Sequence, residues 1–144
     1  MTLRLGATIA VAAFVLAACS SETSAPLVAS DVEVSAARGG MAMRAAYLRL
    51  RNNTGEAIRI TSAGSPSYSS VEMHETVIEN DVARMRPIAS VLIEPDSEVV
   101  FERGGKHLML MRPVGDAARQ ERIQLDFYDG ENLLISVTAR QESG

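Results

Sequence analysis

The sequence predicts an all-β sandwich or barrel, on three observations. Apolar and polar residues alternate with a period of two through most of residues 30–144. Turn signals recur at intervals of about 8–12 residues, the spacing of sandwich strands. No helical period of apolar residues appears after residue 30. At 144 residues and 47% hydrophobic content, the chain can bury one core and not two.

The elements follow in order. Residues 1–18 carry one charge, Arg4, and then a short apolar run, the pattern of a secretory signal and too short to span a bilayer. Leu16-Ala17-Ala18-Cys19 resembles the lipobox of bacterial lipoproteins, in which the Cys is acylated and becomes the mature N-terminus. An ordinary signal with a chance Cys is the alternative. Ser20 after the Cys points, by resemblance to Gram-negative lipoproteins, to the periplasmic face of the outer membrane. Residues 19–29 are then the acylated Cys and a flexible tether, small and polar in its first part. Residues 30–144 are the folded domain.

Within that domain Tyr47-Leu48-Arg49-Leu50-Arg51 and Ile58-Arg59-Ile60 alternate around Asn52-Asn53-Thr54-Gly55, which reads as a hairpin. Val71 to Val77 alternates up to a turn at Asn80-Asp81. Glu94-Pro95-Asp96-Ser97 is a turn before a strand at Glu98 to Glu102. Gly104-Gly105 breaks that strand before Lys106 to Arg112. Ile123, Leu125 and Phe127 alternate up to Asp129-Gly130, the strongest short hairpin signal in the chain.

Composition removes several function classes. The net charge of −4 disfavours unspecific nucleic-acid binding, which needs excess cations to displace counterions. Without Trp, and with 4% aromatics, stacking platforms are poorly supplied. One Cys excludes an internal disulfide and a Cys-rich zinc site. Neither a Ser-His-Asp pattern nor metal-hydrolase spacing is present, so an enzyme is not expected.

The two histidines carry the chemistry. On Lys106 to Met111, period two puts Leu108 and Leu110 on one face and His107, Met109 and Met111 on the other. A strand buried on both sides, with Met as gap filler, is the ordinary explanation. On the earlier hairpin, Glu72, His74 and Thr76 share a face. A two-residue turn at Asn80-Asp81 sets Thr76 opposite Met85, which places Met85 diagonal to His74. Each element therefore supplies one His–Met pair. Thioethers are soft and neutral and favour Cu(I), whereas zinc uses Cys, His and carboxylates, and blue copper needs a thiolate. A shell of His74, Met85, His107 and Met109 would suit handover of Cu(I) better than redox catalysis.

The spacing His74-x10-Met85-x21-His107-x-Met109 resembles the signature of the periplasmic copper chaperones that supply Cu(I) towards cytochrome c oxidase. Val71-Glu72-Met73-His74-Glu75, Arg84-Met85-Arg86-Pro87 and Gly104 to Leu110 resemble that family's ligand segments, and the resemblance covers residues 30–140. It implies a cupredoxin-like Greek-key β-sandwich, a Cu(I) site made by those four residues, and delivery to the dinuclear copper centre. The implied partner is an oxidase subunit or a thioredoxin-like copper chaperone. Some family members carry a His/Met-rich C-terminal tail; Ala139 to Gly144 has neither residue type.

Further residues are weighed against ordinary roles. Met111 and Met43 are possible accessory thioethers, as is Met41, although packing is the usual task of such residues. Arg84, Arg86, Lys106 and Arg112 cluster in sequence near the donors, together with Arg103. They read either as a basic rim for an acidic partner or as a solvated edge. A monomer is expected. A copper-sequestering lipoprotein without an oxidase client, and a metal-free binding lipoprotein, are the alternative functions.

Overall fold

The computed structural model describes residues 25–37 and 42–142. Residues 1–18, Cys19 and Met41 lie outside the described residues.

One sheet closes on itself. Strand β1 (Leu27–Val34) pairs antiparallel with β2 (Met43–Asn52) and parallel with β11 (Asn132–Gln141). From β11 the sheet runs through β10 (Arg122–Asp129), β4 (Ser62–Gly64), β5 (Tyr68–Glu79) and β9 (Lys106–Pro113), and β9 returns to β2. Strand β8 (Glu98–Phe101) continues along β2 beyond the end of β9. Strand β6 (Val82–Pro87) pairs with the far half of β5 and is exposed throughout. Strands β3 (Ile58–Ile60) and β7 (Val91–Ile93) form a separate small sheet. A single 3-10 turn, Ala117–Arg119, is the one helical piece among the described residues. The fold is the expected all-β one, a cupredoxin-like sandwich whose larger sheet is a closed ring.

The period-two pattern explains the core. Leu48 and Leu50 of β2, Phe101 of β8, Leu108 and Leu110 of β9, and Leu125 and Phe127 of β10 are all at most 2% exposed. Each such side chain contributes about 1.5–3 kcal/mol by leaving water. Leu108 and Leu110 thereby fix the facing of β9: with both turned inward, His107, Met109 and Met111 must project from the other side. Met73 of β5 is core on the same principle.

Two turns form as expected. Asn80 and Asp81 both have positive φ, 51° and 63°, as a type I′ turn requires, and Glu79 faces Val82. Gly130 takes φ 58° between Asp129 and Asn132, which face each other.

The segment Asn52-Asn53-Thr54-Gly55 is not a hairpin. β3 pairs with β7, not with β2. The segment instead carries the chain from one sheet to the other, and Asn52 holds the corner. Its buried amide donates to the carbonyls of Glu56 (2.7 Å), Ile93 (3.1 Å) and Glu94 (3.1 Å), and its oxygen accepts from Thr54 N–H (2.9 Å). The tether boundary also moves. β1 starts at Leu27, a buried residue opposite Asn52, so residues 27–29 belong to the sandwich rather than to the tether at 19–29. Apolar Leu27 has a core to enter, and its neighbours complete the β1–β2 ladder.

Candidate metal centre

The closing of the sheet sets β5 directly beside β9, in a register that places His74 opposite His107. The ring centroids are 6.0 Å apart and the ring planes are inclined by 55°. Glu72 faces Met109 in the same register, and Ser70 faces Met111. On the other side of β5, Thr76 faces Met85, as the turn at Asn80-Asp81 requires. Because facing residues share a side of the sheet, His74, Met85, His107 and Met109 all project from one face.

That face is partly covered. His107 is buried, His74 is mostly covered, and Met109 is half-buried, whereas Met85 is 61% exposed on its edge hairpin. His107, Met109, Met85 and Thr76 line a cavity of about 310 Å³ together with Met43, Arg44, Tyr47, Arg103, Ser35 and Ala36. Arg103 stacks over the Tyr47 ring, with its guanidinium carbon 4.7 Å from the centroid, and lies 3.9 Å from Glu33. Another hollow among the described residues, about 930 Å³ between Glu33, Arg122, Arg140 and Glu142, contains none of these donors.

Each imidazole is held at one nitrogen. His74 Nε2 lies 3.0 Å from Glu72 Oε2. A carboxylate oxygen only accepts, so in the neutral ring Nε2 carries the proton and Nδ1 bears the lone pair. That Nδ1 is buried and has no hydrogen-bond partner. An unpartnered buried acceptor costs about 1–3 kcal/mol, and sites with another use for it are where it persists. His107 Nδ1 donates to the Gly105 carbonyl at 3.0 Å, which leaves the lone pair of the neutral ring on Nε2. The same carbonyl accepts the Thr76 N–H at 3.1 Å, and so ties the loop before β9 to the far half of β5. Gly104 makes this approach possible by taking φ 81°.

Donor chemistry fits a soft monovalent ion. Among the described residues, no three His, Cys, Asp or Glu side chains gather to hold a metal. What gathers is two imidazoles, each with a free lone pair, and neutral thioethers, the set preferred by Cu(I).

The remaining sequence candidates separate. Met43 lines the cavity, while Met111, one step further along β9, does not. The basic rim does not surround the donors. Arg86 and Lys106 both face Glu75, and Arg84 faces Val77, so all three project from the reverse side of the sheet. Alternation dictates this, since each is adjacent in sequence to a donor. Arg84 and Arg86 are also ion-paired with Glu79. Arg112 is exposed, five residues along β9 from His107. The cations that do line the cavity are Arg103 and Arg44. Glu72 was visible in sequence as sharing His74's face, but its carboxylate contact was not.

Comparison with known proteins agrees with the architecture. A family model described as "Putative lipoprotein LpqE-like" matches residues 27–139. The protein "Putative lipoprotein Lxx21020" of Leifsonia xyli subsp. xyli (strain CTCB07) is 30% identical over 122 residues, 81% of this chain and 74% of its own. The solved "Copper-bound PCuAC domain from PmoF2" superposes with TM-score 0.64 at 15% identity, over 83% of this chain and 94% of its own. The solution structure of CuI-DR1885 from Deinococcus radiodurans gives 0.58 at 22% identity, over 82% of this chain and 77% of its own. At these identities the likeness to the two copper proteins is one of fold.

Proposed function

The chain belongs to the LpqE-like family, and from that premise we propose that it is an extracytoplasmic Cu(I) carrier. It takes copper as cargo on His74, Met85, His107 and Met109 and passes it towards the dinuclear copper centre of cytochrome c oxidase. Cys19 carries the lipid that holds it at the periplasmic face of a bacterial membrane. The observation that carries the reading is the facing pair His74 and His107, each with one lone pair free, on the same face as two thioethers. Structural neighbours whose names include bound copper support it. The lipoprotein wording of the family and of the Leifsonia relative supports the anchor.

Ligand chemistry gives the oxidation state and the task. Imidazole and thioether are neutral donors that stabilise Cu(I) without thiolate. An exposed donor such as Met85 can be exchanged for one from a partner without unfolding the site.

The test is an oxygen-free titration of Cu(I) into the purified chain against a colorimetric chelator. One equivalent is expected, weakened at least about tenfold (1.4 kcal/mol) in both His107→Ala and Met85→Leu. Transfer of that equivalent to a purified oxidase copper domain is expected to follow. No binding, or binding indifferent to both substitutions, would overturn the reading. Binding without transfer would leave a sequestering protein.

A further inference from the structure

We infer that Glu72 is a positioning residue of the copper site, and that it makes the two histidines ligate through different nitrogens: His74 through Nδ1 and His107 through Nε2. The inference rests on the Cu(I) reading above and deepens it.

Two hydrogen bonds and one orphaned atom carry it. Glu72 and His74 sit two apart on β5 and share a face, so the carboxylate reaches the ring at 3.0 Å. Only Nε2 makes this contact, and the proton must stay there because the carboxylate cannot donate. His74 Nδ1 is then the sole donor atom the ring offers, and it is buried without a partner. At His107 the arrangement is reversed. The Gly105 carbonyl holds Nδ1–H at 3.0 Å, and Nε2 is the bare nitrogen. One imidazole is thus oriented by a side chain and the other by backbone. A carboxylate on the remote N–H also raises the basicity of the ligating nitrogen. It sets one negative charge beside a site whose four proposed ligands are all neutral.

Only the Glu72 half can be removed by substitution. Glu72→Gln keeps an oxygen acceptor at the same reach without the charge, and Glu72→Leu keeps the bulk without an acceptor.

The experiment is long-range proton–nitrogen correlation NMR on the full chain labelled with 15N-histidine, at about pH 8, where an ordinary imidazole is neutral. Spectra are recorded with and without one equivalent of Cu(I), oxygen excluded. Without copper, His74 is expected to show a slowly exchanging Nε2 proton in the parent chain and in Glu72→Gln. In Glu72→Leu that proton is expected to exchange away. With copper, the coordination shift is expected at His74 Nδ1 and at His107 Nε2. Glu72→Leu is expected to weaken Cu(I) binding about 10–100-fold with unchanged circular dichroism, and Glu72→Gln to recover most of the loss. A copper shift at His74 Nε2 overturns the assignment while leaving the carrier reading intact. Full affinity and a protected Nε2 proton in Glu72→Leu also overturn it alone. A copper shift at neither histidine overturns both readings together.

Discussion

His74 and His107 are direct partners across the β5–β9 ladder, with ring centroids 6.0 Å apart. Neither strand is free to adjust that separation, because β9 lies between β5 and β2 in a closed sheet. If both rings hold one ion, their contributions cannot be independent. His74→Ala, His107→Ala and the double variant are expected to lose Cu(I) affinity by similar amounts, with a coupling of at least about 1 kcal/mol. Additive losses in the double-variant cycle would mean that the rings act separately.

Met85 separates binding from stability. Its side chain is 61% exposed on a strand whose residues are all exposed. Met85→Leu is therefore expected to move the thermal midpoint by no more than about 0.5 kcal/mol equivalent in the copper-free protein. Its effect should appear only as weaker Cu(I) retention. A large drop in the copper-free midpoint would show that the β5–β6 hairpin needs this side chain for folding.

Asn52 makes the opposite separation. Its amide satisfies three carbonyls at the corner between the sheets. Asn52→Ala strands buried acceptors, each costing about 1–3 kcal/mol, so a loss of about 2–4 kcal/mol is expected in urea unfolding. Copper affinity of the folded variant should be unchanged, since Asn52 lies five residues along β2 from Tyr47 at the cavity. An unaltered urea midpoint would count against the corner role.

Tyr68 gives a pH dependence. Its hydroxyl is buried and donates to Gln141 Oε1 at 2.7 Å. Burial pushes the phenol above its ordinary value of 10.0, with Arg44 pulling partly the other way. The folded chain therefore keeps this proton at a pH where the unfolded chain has begun to lose it. Stability from this group is full below pH 10 and falls as pH rises through the unfolded value. Tyr68→Phe should show a flatter alkaline fall in urea midpoint than the parent. Identical slopes would assign the fall to other groups.

What the sequence disclosed follows the range of each interaction. Asn80-Asp81 was legible because turn geometry is set by two adjacent residues, and Asp129-Gly130 marked the right hairpin although its turn residues are Gly130 and Glu131. The facing of His107 and Met109 was legible because Leu108 and Leu110 must go inward. Asn52-Asn53-Thr54-Gly55 misled because the same residue types serve a sheet-to-sheet corner, and the partners that decide, Ile93 and Glu94, lie about forty residues away. The direct His74–His107 opposition was hidden for a similar reason, since strand register between distant segments is a property of the whole sheet. Arg84, Arg86 and Lys106 read as neighbours of the donors in sequence, and alternation turned that nearness into the reverse side.

Strand β1 gives the molecule a head and a foot. The described chain begins at Ala25 and is pinned where it meets β2: Asn53 N–H donates to the Pro26 carbonyl at 2.9 Å, and the Asn53 amide to that of Ala25 at 3.1 Å. Eight residues later β1 runs out at Val34, and Ser35 and Ala36 already line the donor cavity. The two ends are thus about 25 Å apart along the strand. Anything that pulls on the chain ahead of Ala25 pulls at the foot. A lipid there would hang the domain with its cargo end outward, presented to whatever passes through the compartment rather than pressed against the bilayer that holds it.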